Sequence, residues 1–354
     1  MSDDHNLDAA ATDQGSLLLS IESSCDETAA AIIDRSGAVL SSIVATQTEL
    51  HREFGGVVPE LASRAHVARL LPVLEKALSE ADAGSKNLAA VCVTSQPGLV
   101  GSLLVGLTAA KTVAWSLGIP LVTVNHIEAH LYACQMTVTV PVYPCVGLVV
   151  SGGHTHLYDC QSPTDVSLIG WTIDDAAGEA FDKAARVLGL DYPGGPVIDQ
   201  RAKLGDAAAV RFPRPMAHDK TLRFSFSGLK TAILYEAKGR PNQKTPVPEL
   251  TDDRVNNLCA SFQEAVVDVL LTKCKLALKQ TGYKTLCVGG GVACNSRLRE
   301  RLNGLGRTHQ VLCAPPEYCT DNAAMGAIGW HLLDAGMIAP LDVDVTPGLV
   351  RVKP

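Results

Sequence analysis

Apolar and polar positions alternate along this chain in two rhythms. Residues 17–33 read as an apolar strand, a tight polar turn and a second apolar strand, and residues 145–158 repeat that plan. Short apolar runs at 89–94, 119–124 and 285–288 predict further buried strands. Between and after them, 102–117, 252–280 and the small-residue stretch 323–330 carry helical spacing. Strands alternating with helices predict α/β layers with parallel pairing. Two similar hairpins, one in each half, predict a duplicated fold with a ligand between the halves. Residues 237–249 are polar and proline-bearing and predict a surface loop.

Composition narrows the class. A chain of 354 residues exceeds the usual span of one core and predicts two domains. Its 47% hydrophobic and 19% charged residues suit buried globular layers. The net charge of -7 argues against a broad basic nucleic-acid surface, so any such contact needs a local patch or a partner. Eleven cysteines, an odd number without a C-x-x-C, read as reduced buried thiols of a cytoplasmic protein. No apolar run reaches the roughly 20 residues of a membrane span, and no membrane partner is expected. Residues 1–16 are polar and acidic and read as a disordered tail, without signal or transit character.

The most informative chemistry is Asn125-His126-Ile127-Glu128-Ala129-His130, directly after the strand 119–124. On a helix, residues four apart share a face with Cβ atoms about 5–6 Å apart, so His126 and His130 can hold one metal ion. The same spacing also occurs in plain surface or core histidines. A zinc protease is excluded, because its glutamate directly follows the first histidine. Here Glu128 falls two positions later, about 200° round the helix. Asp321, in the polar turn Cys319-Thr320-Asp321-Asn322, is the candidate third ligand or else a simple helix cap.

Four joins could serve an anion. The turns of both hairpins, the second at 151–154, expose backbone N–H groups and hydroxyls suited to a phosphate. The run 285–299 leads an apolar strand through Gly289, Gly290 and Gly291 into a helix, though it lacks the P-loop lysine. The join 95–106 reads better as close packing of a helix start. Arg211, Arg214, Lys220, Arg223 and Lys230 surround Phe224-Ser225-Phe226-Ser227 and form the best local candidate for an RNA-facing patch, with a solvated face as the alternative.

Together these stretches resemble the family of tRNA adenosine threonylcarbamoyltransferases of bacterial or organellar type, once described as sialoglycoprotein endopeptidases. The matching motifs are Ile21-Glu-Ser-Ser-Cys-Asp-Glu-Thr28, Phe54-Gly-Gly-Val-Val-Pro-Glu-Leu-Ala-Ser-Arg64, His126-Ile-Glu-Ala-His130 and Val150-Ser-Gly-Gly-His-Thr155. They continue in order with Asp174 to Lys183, Leu190 to Pro196, Phe224 to Thr231, Gly289 to Asn295 and Cys319 to Asn322. The resemblance implies an α/β, two-lobed fold like that of actin, sugar kinases and Hsp70 chaperones. In that reading 17–135 form the N-terminal lobe, joined by a C-terminal helix at about 323–345, and 136–322 form the C-terminal lobe.

The resemblance further implies transfer of a threonylcarbamoyl group from threonylcarbamoyl-AMP to the exocyclic amine of the adenosine beside the tRNA anticodon. It puts one divalent ion, Fe2+ or in some members Zn2+, on His126, His130 and Asp321, and assigns no catalytic residue beyond that site. Family substrate contacts fall on Val149, Val150, Ser151, Gly152, Gly153, His154, Asp182, Gly195, Asp199 and Asn295. Implied partners are tRNA, a subunit of similar fold and a small ATPase. The chain departs from the family's common pattern at Asn125, Gln96 and Cys294. Two other classes share parts of the pattern. A small-molecule kinase of the same fold would not need the histidine pair. A non-enzymatic nucleotide-binding scaffold of a tRNA-modifying complex would leave transfer intact when the metal ligands are changed.

Overall fold

The computed structural model describes residues 15–241 and 248–348. Most of the expected tail 1–16 and part of the expected loop 237–249 therefore lie outside the described residues. In chain order, the first half holds β1 (Leu17–Glu22), β2 (Glu27–Asp34), β3 (Val39–Thr46), α1 (Thr48–Arg52) and α2 (Pro59–Glu80). It continues with β4 (Leu88–Gln96), α3 (Val100–Leu117), β5 (Leu121–Asn125) and α4 (His126–Gln135). The second half opens with β6 (Cys145–Val150), β7 (Thr155–Ser162) and β8 (Asp165–Trp171). Then come α5 (Ala177–Leu188), α6 (Gly194–Ala202), α7 (Ser227–Lys238) and α8 (Asp252–Thr281). β9 (Thr285–Gly289), α9 (Ser296–Leu305), β10 (Gln310–Cys313), α10 (Pro316–Cys319) and α11 (Gly329–Asp334) complete it.

The strands form two five-stranded sheets, β3-β2-β1-β4-β5 and β10-β9-β6-β7-β8. Reversing the second order gives β8-β7-β6-β9-β10, so strand for strand the two sheets are the same design. In each, a hairpin and a third strand run antiparallel and two further strands add in parallel. β1 and β6 sit at the centre of their sheets, covered on both faces, and this explains the unbroken apolar run of β6 and the largely apolar run of β1. The duplication inferred from the two hairpins therefore extends to the whole topology.

Each sheet's last strand feeds a segment that crosses to the other half. α4 leaves β5 and packs on β9 and β6 of the second sheet. Gly289 allows this, because a Cβ there would lie 2.5 Å from the His130 carbonyl oxygen. In return, the 3-10 turn Ala324–Ile328 after α10 packs on β1, β2 and β4. The Cys92 thiol donates to the Gly326 carbonyl at 3.6 Å across that contact. The two crossings meet between the halves, at the segments that carry His126, His130 and Asp321.

Two expectations need correction. The helix expected over about 323–345 is a 3-10 turn and the short α11, ending at Asp334. Gly336, at φ 71°, turns the chain there, and the extended residues beyond it bond along the first half, Ala339 N–H to Leu121 O and Thr346 N–H to Ser95 O. The loop expected from residue 237 begins later, since α7 runs to Lys238. α3, 18 residues long, is apolar and long enough to cross a membrane by length and composition. Its Leu103, Gly106, Leu107 and Ala110 are buried in the fold, where it packs on β4 and α2.

Candidate metal centre

α4 begins at His126 for a local reason. The preceding Asn125 accepts hydrogen bonds at its side-chain oxygen from Ile127 N–H at 2.9 Å and Glu128 N–H at 3.4 Å. An asparagine in this position satisfies N–H groups that the first helical turn leaves unpaired. Asn125, one of the three departures from the family's common pattern, is thus a helix cap. Helical spacing then stacks the two imidazoles, whose ring centroids lie 4.6 Å apart in an edge-to-face arrangement. Asp321 comes from the turn after α10, which Asn322 shapes by donating to Thr320 O and accepting from Met325 N–H.

The three side chains converge. Asp321 Oδ1 lies 3.1 Å from His130 Nε2 and 3.5 Å from His126 Nε2. The ligand atoms of the trio all fall within 4.8 Å of one another. Donors bound about 2.1 Å from one ion sit about 3.0–3.5 Å apart, so small shifts would bring all three onto a common cation. His126 and His130 are buried and the Asp321 side chain is one-fifth exposed.

Glu22, at the end of β1, completes the centre. Its Oε2 lies 3.1 Å from His126 Nδ1, and Ser24 Oγ approaches the same nitrogen at 3.1 Å. Glu22 is held by Ser24 N–H at 2.5 Å and the Thr94 hydroxyl at 2.6 Å. Burial favours the neutral acid at both Glu22 and Asp321, yet the adjoining His126 charge outweighs it and holds both carboxyls below their usual range. Burial likewise disfavours a charged His126, but Asp321 and Glu22 lift it to about 9. Two buried carboxylates require a compensating positive charge beside them, from a proton or from a metal ion. Two imidazoles, one carboxylate ligand and a carboxylate bracing a ring suit a divalent metal. The residues fit the group.

The turn 151–154 adjoins this centre. Ser151 N–H donates to His154 O at 2.8 Å and His154 N–H to Ser151 Oγ at 3.2 Å. Burial and the neighbouring His126, His156 and His130 push the His154 ring down to about 3, so it is a neutral imidazole here. Gly152 and Gly153 are exposed, and a Cβ on either would meet open space. Val149 and Val150 lie in β6 with buried side chains, and the backbone of Val149 is in register with His156 and Gly289.

The other expected contacts lie along the second half and bind helix starts. Asp182 accepts from the N–H groups of Gly194, at 2.8 Å, and Gly195. Asp199 accepts from Ser296 N–H at 3.2 Å and its hydroxyl at 2.7 Å. Asn295 caps α9 through Leu298 N–H at 3.0 Å and donates to Gln263 at 2.7 Å. Glu128 lines a separate cavity of about 10 Å³ with Tyr132, Gln135 and Cys145.

The basic patch is smaller than expected. Arg214 is paired with Asp268 at 2.9 Å, Arg223 lies over the Trp171 ring at 5.2 Å, and Phe224 and Phe226 are core residues. Arg211, Lys220, Arg223 and Lys230 are exposed. Sequence reasoning did not give Glu22 a role at the centre. Its signal was an acid at the end of a largely apolar central strand.

Comparisons with known proteins bear on the family and the fold. Residues 38–328 match the family model described as TsaD, tRNA N6-adenosine threonylcarbamoyltransferase. The chain is 51% identical over 348 residues to a protein of that name from Rhodopirellula baltica, covering 95% of this chain and 97% of the relative. It is 50% identical over 333 residues to the Trichlorobacter lovleyi protein of the same name, covering 93% and 95%. Among solved structures, T. kodakarensis HypF superposes with a TM-score of 0.61 at 13% identity, over 91% of this chain and 48% of that one. Component A of the Acidaminococcus fermentans (R)-2-hydroxyglutaryl-CoA dehydratase gives 0.50 at 14% identity, over 91% and 98%. These likenesses concern the fold, and the fold is the two-lobed one shared with actin and sugar kinases.

Proposed function

The chain belongs to the family of tRNA N6-adenosine threonylcarbamoyltransferases, and from that premise we propose how its own residues carry out the transfer. It is an acyltransferase that modifies adenosine in tRNA. The donor in this reading is threonylcarbamoyl-AMP, a mixed anhydride whose AMP is already a good leaving group. The acceptor is the exocyclic amine of the adenosine beside the anticodon. Such a reaction needs little acid–base machinery. Its barrier falls when the carbonyl is held against the amine and the developing oxyanion is stabilised.

The observation that carries this reading is the convergence of His126, His130 and Asp321 where the two halves exchange their crossing segments. His126 and His130 through Nε2 and Asp321 through its carboxylate would hold one divalent ion, which we take to be ferrous iron, with zinc as the other candidate. When bound, that ion supplies Lewis acidity toward a phosphate or carbonyl oxygen. Glu22 fixes the His126 ring through Nδ1, leaving Nε2 for the ion. Ser151, Gly152 and Gly153 form the cradle for a phosphate or carbonyl oxygen, and His154, neutral, closes it against the metal ligands.

Asp182 and Asp199 keep lone pairs beyond those bound to helix N–H groups, enough to receive ribose-type hydroxyls, with Gly195 beside them. Val149 and Val150 act by aiming the turn that follows. Asn295 shapes the entry to α9, since both ends of its amide are engaged. We take residues 17–135 and 136–322 as the two lobes. tRNA is the nucleic-acid partner, gripped with the help of a similar-fold subunit and a small ATPase in the cytoplasm, because an acidic chain lacks a broad basic surface of its own.

The test is mass spectrometry of tRNA nucleosides after this chain is depleted and restored, paired with metal analysis of the purified protein. Restoration of the threonylcarbamoyl nucleoside by the wild type, and not by a variant unable to hold metal, is expected. Restoration by a metal-free variant would remove the assigned role of the centre.

A further inference from the structure

Among the eleven cysteines of this chain, Cys294 alone is exposed. It ends the 3-10 turn Gly291–Cys294 directly before the α9 cap Asn295. Cys319, buried, closes α10 two residues before Asp321. That turn and α10 pack on each other, and the Cys294 thiol donates at 3.8 Å to the Pro316 carbonyl, at the start of the same short helix that Cys319 closes. Arg299, on α9, brings a guanidinium to the pair. Its Nη2 lies 3.3 Å from Cys319 Sγ and 2.7 Å from Ala314 O.

This is the setting in which a thiol becomes a nucleophile: partial exposure, a donor on the sulfur and a fixed cation beside it. The Cys319 hydrogen bond, helped by Arg299 and opposed by burial, holds the Cys294 thiol down at about 6. No other thiol pair combines these features. Cys287 and Cys145 are 3.6 Å apart, but both are buried where a dissolved oxidant does not reach.

We propose that Cys294 is a peroxide-sensitive modification site with Cys319 as its resolving partner, the two forming a reversible disulfide between the turn before Asn295 and the turn before Asp321. The Cys294 thiolate attacks one oxygen of hydrogen peroxide. The O–O bond breaks, hydroxide leaves and takes a proton to become water, and the sulfur, oxidised by two electrons, becomes a sulfenic acid. The Cys319 sulfur then attacks the sulfenic sulfur. An S–S bond forms, the S–O bond breaks, and the hydroxyl leaves as water with the Cys319 proton. A dithiol reductant reverses the step by thiol–disulfide exchange. The bond would staple the entry of α9 to the loop that carries the carboxylate ligand, which gives oxidation a route to the metal centre.

The test uses the reduced full-length protein, graded hydrogen peroxide, thiol trapping with N-ethylmaleimide and peptide mapping by mass spectrometry. A Cys294–Cys319 cross-linked peptide is expected before oxidation of any other cysteine, and dithiothreitol should remove it. C294A should lose the link and leave Cys319 reduced. C319A should let Cys294 run on to sulfinic acid at the peroxide dose that gives the link in wild type. Should C319A fail to fold, C294A decides alone, because its substitution is at the surface. A first cross-link among Cys134, Cys145, Cys160 and Cys287, or a Cys294 that stays alkylatable throughout, would overturn the proposal.

Discussion

Glu22 Oε2 lies 3.1 Å from His126 Nδ1, so a residue from the first strand of the chain fixes the orientation of a ring on α4. Carboxylates that brace a metal-binding imidazole orient it and raise its basicity, and losing one typically weakens metal binding 10- to 100-fold. Glu22→Gln keeps the size of the side chain and removes its charge. Metal affinity measured by chelator competition should fall about 10- to 100-fold, with the circular dichroism spectrum unchanged. Unchanged affinity would mean that Glu22 serves only to join β1 to α4.

His130→Ala and Asp321→Asn attack the same centre from opposite halves. Each should remove bound metal and threonylcarbamoyl transfer together, because the ligands come from one contiguous cluster. Metal content by mass spectrometry and nucleoside analysis of tRNA are to be read on the same samples. Transfer at the wild-type rate by metal-free His130→Ala would separate the chemistry from the ion.

Much of this arrangement is legible in the chain because it follows from local rules. The hairpins are largely continuous apolar runs around polar turns, and the His126–His130 face is a matter of helical spacing. What escaped depends on contacts between distant segments. Glu22 meets His126 only because β1 and β5 both flank β4 in one sheet. The run Phe224-Ser225-Phe226-Ser227 suggested an RNA-facing surface, yet its alternation is that of a half-buried strand. Both rings enter the core while both hydroxyls reach Asp174. Asp182, Asp199 and Asn295 look alike as ligand-binding and as capping residues, since both tasks use the same oxygen atoms.

Asp174 gives the fold an acid-sensitive clasp. Partial burial pushes its carboxyl up, but the Ser225 and Ser227 hydroxyls and the N–H groups of Phe226 and Ser227 pull it further down, below the usual value. A carboxyl lowered on folding contributes stability above its unfolded pKa, near 3.9, and that stability is lost as pH falls through the lower folded value. Thermal melts of wild type and Asp174→Asn between pH 6 and pH 3 should therefore converge toward the acid end. A constant gap across that range would show that Asp174 acts without its charge.

Lys273 on α8 is fully buried, with its ammonium on Asp219 at 2.5 Å and Thr221 O at 2.6 Å. Removing the partner of a buried charge costs more than removing the pair. Asp219→Ala should destabilise the protein, by less than the roughly 3–5 kcal/mol of a fully enclosed pair, because Asp219 is itself 37% exposed. Adding Lys273→Met to that background should recover stability. Urea midpoints of both variants decide this, and a double mutant weaker than Asp219→Ala would contradict it.

Gly178 lies against the turn 151–154, so a substitution there tests that turn apart from the metal ligands. A Cβ at this position on α5 would lie 2.6 Å from Ser151 O and 2.8 Å from the Cα and N of Gly152, all of them backbone atoms. Backbone cannot swing aside as a long side chain can, so Gly178→Ala must displace the turn 151–154 or the start of α5. The metal ligands come from other elements, and the variant should retain its ion. Misplacing positioning groups by about 1 Å costs roughly 10²-fold in rate, so kcat/KM for transfer should drop on that order at unchanged metal content. If metal and transfer fell in proportion, the turn would be a support for the centre and not a cradle for the donor.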